Sequence, residues 1–235
     1  MTLEIKGFLE TSLVDWDGHI ASVIFLPGCN FRCPYCHNTG LILHPEKYRT
    51  IPEEKIFEYL ASHRSFIDGV CITGGEPVLH KDAGLTDLIK KIKKDGFKVK
   101  LDTNGTDPKY IKELIDAKLI DFVAMDVKAP LEKYHKATNV KGDPNAIRES
   151  VHLLITSGID HEFRTTAVPT LIDLHDIEEM AKMLSGAKKY VLQQFEPDNC
   201  EDIELKKIKP YGAEMISKML EAAKKHVPNS MYRGK

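Results

Sequence analysis

The chain has 235 residues, of which 42% are hydrophobic and 29% charged, and its formal net charge is −2. That length suits one α/β barrel-type domain or two small ones, and the balanced charge supplies no global field for nucleic acid or an anionic membrane. No apolar run approaches the ~20 residues of a bilayer span, and the opening Met-Thr-Leu-Glu-Ile-Lys-Gly lacks the make-up of a secretory signal, so a cytoplasmic protein is expected.

In chain order, Ala21–Leu26 is predicted as a short buried strand stopping at Pro27-Gly28. A cysteine-rich loop follows. Thr50-Ile51-Pro52-Glu53-Glu54 then has the composition of a helix start, and Ile56, Phe57, Tyr59 and Leu60 give that helix its apolar face. From there strands and helices alternate. Strands are expected at 66–73, 97–101, 120–127, 161–168 and 190–195, and helices at 85–94, 108–117, 145–156, 174–184 and 212–225. Leu85, Leu88, Ile89 and Ile92 have the spacing of one helix face. Lys90, Lys91, Lys93, Lys94, Lys98 and Lys100 lack interleaved aromatics and are expected to be a solvated helix end, not a nucleic-acid site. Six strands separated by helices favour a parallel sheet with crossover helices. With no linker or repeat, residues 1–235 are expected to form a single domain, its core spanning about 20–197.

The strands carry polar residues in register. If Val99 and Leu101 face helices, Lys100 and Asp102 face the centre; Asp126 and Lys128 share a side, as do Glu162, Arg164 and Thr166. A closed barrel fills its centre with branched apolar side chains. Polar residues near several strand ends suit an open barrel holding a polar ligand. Buried ion pairs are the alternative on any one strand.

Five cysteines are present, three of them in the eight residues from Cys29 to Cys36. In a reducing compartment that points to metal or redox chemistry. Cys29, Cys33 and Cys36 form Cys-x3-Cys-x2-Cys. Thiolates are the usual ligands of iron–sulfur clusters, and three of them can wrap a cubane while leaving one iron open for a substrate. Zinc is the competing ion on spacing alone, with His37, His44, Cys71 or Cys200 as a fourth ligand. Cys71 lies within a predicted strand and is expected to be a small buried hydrophobe; Cys200 follows Pro197-Asp198-Asn199 and is expected to be exposed.

The cysteine loop, with Tyr35 before its third cysteine, resembles the signature of the radical S-adenosylmethionine (SAM) superfamily. Gly74-Gly75-Glu76-Pro77, Asp102-Thr103-Asn104-Gly105 and Asp126-Val127-Lys128 resemble segments of its glycyl-radical-enzyme activating members, above all the anaerobic ribonucleotide reductase and pyruvate formate-lyase activating enzymes. The likeness covers about 7–197. It implies an incomplete (β/α)6 barrel of parallel strands with outer helices, a [4Fe–4S] cluster on Cys29, Cys33 and Cys36, and SAM chelating the open iron. It further implies an oxidoreductase that makes a 5′-deoxyadenosyl radical. The substrate would be a glycyl-radical enzyme, with a flavodoxin- or ferredoxin-type electron donor and neither nucleic acid nor membrane as partner. Candidate SAM contacts are Gly74, Gly75 and Glu76 at the methionine moiety, where missing Cβ atoms would allow close approach. Asp102, Asn104, Asp126, Lys128, Arg164 and Thr166 are candidates for the ribose, ammonium and carboxylate, with a monovalent cation as another use of Asp102 or Asp126. Tyr35, Asn38 and Gln194 (or Gln193) are candidates for the adenine side, and His37 for shaping the loop. One departure stands out. Activating enzymes often carry Asp-Gly-Pro-Gly with a following Arg before the first strand; here the segment is Asp15-Trp16-Asp17-Gly18-His19-Ile20-Ala21. A radical SAM enzyme acting on a nucleotide or purine analogue, and a non-catalytic zinc protein, are the other readings.

Overall fold

The computed structural model describes residues 3–200 and 202–234. Two compact units divide the chain: Met1–Asn30, Asn38–Thr103 and Lys109–Val123 in the first, and Phe31–His37, Asn104–Pro108 and Ala124–Lys235 in the second.

The first unit contains β1 (Gly7–Ser12), β2 (Ala21–Leu26), α1 (Thr39–Leu43), α2 (Glu53–Ser62), β3 (Gly69–Gly74), α3 (Leu85–Lys94), β4 (Lys98–Thr103) and nearly all of α4 (Pro108–Asp116). Its strands lie in the order β1-β2-β3-β4, with β1 antiparallel and the others parallel. The register pairs Leu26 with Gly74, so the loops leaving β2 and β3 start at the same level. α3 forms as its spacing predicts: Leu85, Leu88, Ile89 and Ile92 are all buried, and Gly84 at φ 111° starts the helix. Its lysines do lie at a helix end, where Lys91 reaches Glu53 (2.6 Å) and Lys93 reaches Asp121 (2.7 Å). Lys98 and Lys100 depart from this: both lie in β4, Lys98 exposed at its start and Lys100 buried inside it.

β5 (Phe122–Asp126) starts in the first unit and ends in the second. The second unit continues with α5 (Tyr134–Thr138), α6 (Pro144–Thr156), β6 (Asp160–Ala167), α7 (Leu174–Met183), β7 (Tyr190–Gln194), α8 (Ala213–Lys224) and β8 (Ser230–Arg233). β6, β7 and β8 are parallel neighbours. Phe163, Tyr190 and Phe195 are among its largest fully buried side chains. A capping box between Asp173 and Asp176 fixes the start of α7.

The class is the expected one, α/β with a mostly parallel sheet and alternating helices. Among the described residues eight strands form in place of the six expected. β1 lies at one end of the strand order and buries little, so it lacks a period-two apolar pattern; β8 is only four residues long. The strand expected at 66–73 begins at Gly69 instead. Phe66 is exposed in a turn closed by its N–H donating to the His63 carbonyl (2.9 Å), and the Asp68 carboxylate accepts from the Ile20 N–H (2.7 Å). Pro52 stands at the start of α2, and the Thr50 hydroxyl accepts from Lys6 Nζ (2.9 Å). Among the described residues, no helix is long and apolar enough to cross a membrane.

Candidate functional site

Each end of the cysteine loop is tied to the turn after β3. On the entry side, the Gly75 N–H donates to the Leu26 carbonyl (2.8 Å) and the Glu76 N–H to the Gly28 carbonyl (2.8 Å), immediately before Cys29. On the exit side, Asn38 Nδ2 donates to the Gly74 carbonyl (2.7 Å). The glycines serve this approach. A Cβ on Gly75 would lie 1.7 Å from the Gly28 carbonyl oxygen, and one on Gly74, itself at φ +115°, would lie 2.4 Å from that of Leu26. The Cβ side of both glycines thus faces the backbone of Leu26 and Gly28. Glu76 is buried; its Oε1 accepts from Thr103 Oγ1 (2.7 Å) and from the Val78 N–H (3.3 Å), so it braces the turn against the end of β4.

The middle of the loop belongs to the second unit. The Arg32 N–H donates to the Thr138 carbonyl (2.8 Å) and Phe31 meets Tyr134 edge-on at 6.0 Å, both on α5. The Cys36 N–H donates to the Cys33 carbonyl (3.1 Å), which closes a tight turn. Burial raises the Cys33 thiol above its ordinary value, and the nearby Lys128 ammonium offsets part of that rise. Asp126 lies between two cations: Lys128 Nζ is 2.9 Å from Oδ2 and Arg164 Nε is 2.7 Å from Oδ1. Burial alone would raise its carboxyl, but these partners hold it well below the usual carboxylate range. Burial likewise disfavours the Lys128 ammonium, and Asp126 more than restores it, raising Lys128 well above its ordinary value.

Tyr35 is 4% exposed, and its hydroxyl has no hydrogen-bond partner among the described residues. Burial, reinforced by Cys33, raises its phenol well above the ordinary value. A buried hydroxyl left this way costs roughly 1–3 kcal/mol, which a polar group held by the loop would remove. Cys29, Cys33 and Cys36 are half-buried and in no disulfide, a donor set suited to an iron–sulfur cluster. Among the described residues, no three His, Cys, Asp or Glu side chains converge as they would on a single metal ion. In a cubane each thiolate takes its own iron, so the cluster makes no such demand.

The remaining candidates are placed as follows. Asp102 is nearly buried, with Lys100 Nζ 2.7 Å from its Oδ1. Asn104 Oδ1 accepts from the Thr106 N–H (3.1 Å) and hydroxyl (2.7 Å), an Asx turn. Thr166 and Arg164 are half-buried on one side of β6. Gln194 Oε1 accepts from the Tyr232 hydroxyl (2.8 Å) on β8. His37 is half-buried, and burial lowers its imidazole. The polar residues read from these strands form ion pairs: Lys100 with Asp102, Lys128 and Arg164 with Asp126, and Glu162 with Lys189 (3.4 Å) and Arg233 (3.2 Å). Cys71 is buried as expected. Cys200 is buried too, against expectation, with its thiol donating to the Pro197 carbonyl (3.0 Å). Tyr134 was not singled out from the sequence, yet its hydroxyl accepts from the Lys128 N–H (3.3 Å) and donates to the Asp126 carbonyl (3.4 Å). It sits on a five-residue helix too short to show a period.

Comparison with known proteins adds an independent line. The profile of the Radical SAM superfamily matches residues 23–187. A Methanocaldococcus jannaschii protein named for glycyl-radical enzyme activation is 38% identical over 233 residues, covering 97% of this chain and 95% of that protein. The pyruvate formate-lyase 1-activating enzyme of Escherichia coli K12 is 29% identical over 201 residues, covering 80% and 78%. The crystal structure of Streptococcus suis SuiB bound to precursor peptide SuiA overlays 90% of this chain with a TM-score of 0.69 at 14% identity, a likeness of fold alone; this chain spans 48% of that one. By the profile match over most of its length, the chain belongs to the Radical SAM superfamily.

Proposed function

We propose that this chain is a radical SAM oxidoreductase that reductively cleaves SAM and generates a glycyl radical on a partner enzyme. The observation that carries this is the loop of three cysteines, none in a disulfide, tied at Gly28 and Asn38 to the turn after β3. Near-full-length identity to a protein named for glycyl-radical enzyme activation supports the partner class.

Cys29, Cys33 and Cys36 are assigned to hold a [4Fe–4S] cluster. When bound, the cluster supplies the electron that splits SAM into methionine and a 5′-deoxyadenosyl radical. The chain's own residues bind and orient. Lys128 brings positive charge beside Cys33, which favours the thiolate. Lys128 and Arg164, held by Asp126, are the cations assigned to the SAM carboxylate. Asp102 and Thr166 are assigned to hydroxyl and ammonium contacts, and the Tyr35 backbone and Gln194 to the adenine side. Asn38, Gly74, Gly75, Glu76 and Asn104 act by shaping the turns that carry these groups. Both carboxylates offered for a monovalent cation already meet side-chain cations, which disfavours that use. The electron donor is assigned to the flavodoxin or ferredoxin type, and anaerobic ribonucleotide reductase is the first partner to try.

The test is electron paramagnetic resonance of a candidate glycyl-radical enzyme after anaerobic incubation with this protein, SAM and a reductant. A glycyl signal that requires all three components is expected. SAM cleavage with no radical on any glycyl-radical enzyme tried would instead favour a small-molecule substrate.

A further inference from the structure

Lys100 is 2% exposed in the middle of β4. A buried ammonium is costly unless it is paired and hydrogen-bonded, and this one has two partners at opposite ends. Its Nζ donates to the Asp15 carbonyl (2.6 Å) and lies 2.7 Å from Asp102 Oδ1. The Asp15 end is rigid. Ser12 Oγ donates to Asp15 Oδ2 (2.5 Å) and accepts from the Asp15 N–H (3.2 Å). Neighbouring Trp16 is buried among Ala21, Val23 and Cys71, with Phe122 against it. This is the segment where the chain departs from the Asp-Gly-Pro-Gly pattern, and it forms a fixed floor under Lys100. The Asp102 end is the carboxyl end of β4, where α/β sheets place ligands. Residues two apart on a strand share a face, so the pair is built into the strand itself.

We propose that Lys100 is a positioning residue for SAM binding, holding the Asp102 carboxylate in place from the floor formed by Asp15 and Trp16. This rests on the reading of Asp102 as a SAM contact. The ammonium makes no contact with the ligand in this assignment; it acts through Asp102.

The test is SAM affinity of the anaerobically reconstituted protein, measured by equilibrium dialysis, in a double-mutant cycle of Lys100→Gln and Asp102→Asn. Lys100→Gln keeps a donor for the Asp15 carbonyl and removes the charge. It is expected to weaken SAM about 10-fold, as loss of an orienting partner does at other sites, while retaining wild-type iron content. In the Asp102→Asn background the same change is expected to have almost no further effect. Should Lys100→Gln fold poorly, Lys100→Ala with added ethylammonium serves in its place, and recovery of affinity with ethylammonium is expected. Unchanged affinity in Lys100→Gln, equal losses in both backgrounds, or no recovery with ethylammonium overturns the proposal. Wild-type protein that binds no SAM takes the functional reading down with it, whereas wild-type binding with an indifferent Lys100→Gln removes the Lys100 assignment alone.

Discussion

Placing a methyl group on Gly75 tests the contact that fastens the cysteine loop. The added Cβ would lie 1.7 Å from the Gly28 carbonyl oxygen and 2.5 Å from its carbon. Both atoms are backbone, so no side chain can swing away. Reaching even 3.0 Å needs more than an ångström of movement, in a segment whose Gly28 carbonyl also accepts from the Glu76 N–H at 2.8 Å. Overpacking of this kind costs roughly 1–3 kcal/mol, which for a chain of this size lowers Tm by about 2–12 °C. Gly75→Ala is therefore expected to melt lower as apoprotein and to take up less than a full complement of iron, because the displaced residue precedes Cys29. Differential scanning calorimetry and iron analysis after anaerobic reconstitution provide the readouts. Gly212→Ala, where no heavy atom lies within 4 Å of the new Cβ, is the reference. An unchanged Tm together with full iron loading in Gly75→Ala would refute the reasoning.

Trp16→Ala should cost about 3–5 kcal/mol in chemical denaturation, since it empties the cluster of Trp16, Ala21, Val23 and Cys71; a loss under 1 kcal/mol would mean the indole is not holding that floor. His161 is buried, with Nδ1 toward the Ile159 carbonyl (2.9 Å) and Nε2 accepting from the Lys188 N–H (3.2 Å). Burial lowers its imidazole in the folded state, so the unfolded chain takes up the proton first as pH falls. Its contribution to stability is full above the ordinary histidine value of about 6.5 and is lost as pH drops through the lower folded value. Tm against pH should consequently fall more steeply below pH 6.5 in wild type than in His161→Gln, and parallel curves would contradict this. Tyr35→Phe removes a buried hydroxyl without a hydrogen-bond partner among the described residues. The apoprotein should gain up to roughly 1–3 kcal/mol; a clear loss in urea denaturation would show that the hydroxyl is bonded.

The alternation of strands and helices was legible because its apolar pattern is dictated by burial: α3 runs from Leu85 to Lys94 as the spacing of Leu85, Leu88, Ile89 and Ile92 predicts. β1 and β8 were missed because a little-buried strand at one end of the order and a four-residue strand leave no such pattern. In the candidate site the residue types were readable but not their partners. Lys100 and Asp102 were seen to share a face, yet the Asp15 carbonyl that completes the group is 85 residues away from Lys100 in sequence. Gly74 and Gly75 were recognised as sites of close approach. That the backbone of Leu26 and Gly28 packs on their Cβ side is revealed only by the parallel register of β2 and β3.

The central claim is tested most directly by incubating the anaerobically reconstituted and reduced protein with SAM and measuring 5′-deoxyadenosine by chromatography. The account predicts four irons per chain and 5′-deoxyadenosine production that disappears in each of Cys29→Ser, Cys33→Ser and Cys36→Ser. Stoichiometric zinc in place of iron, or a fully loaded protein that forms no 5′-deoxyadenosine, would contradict it.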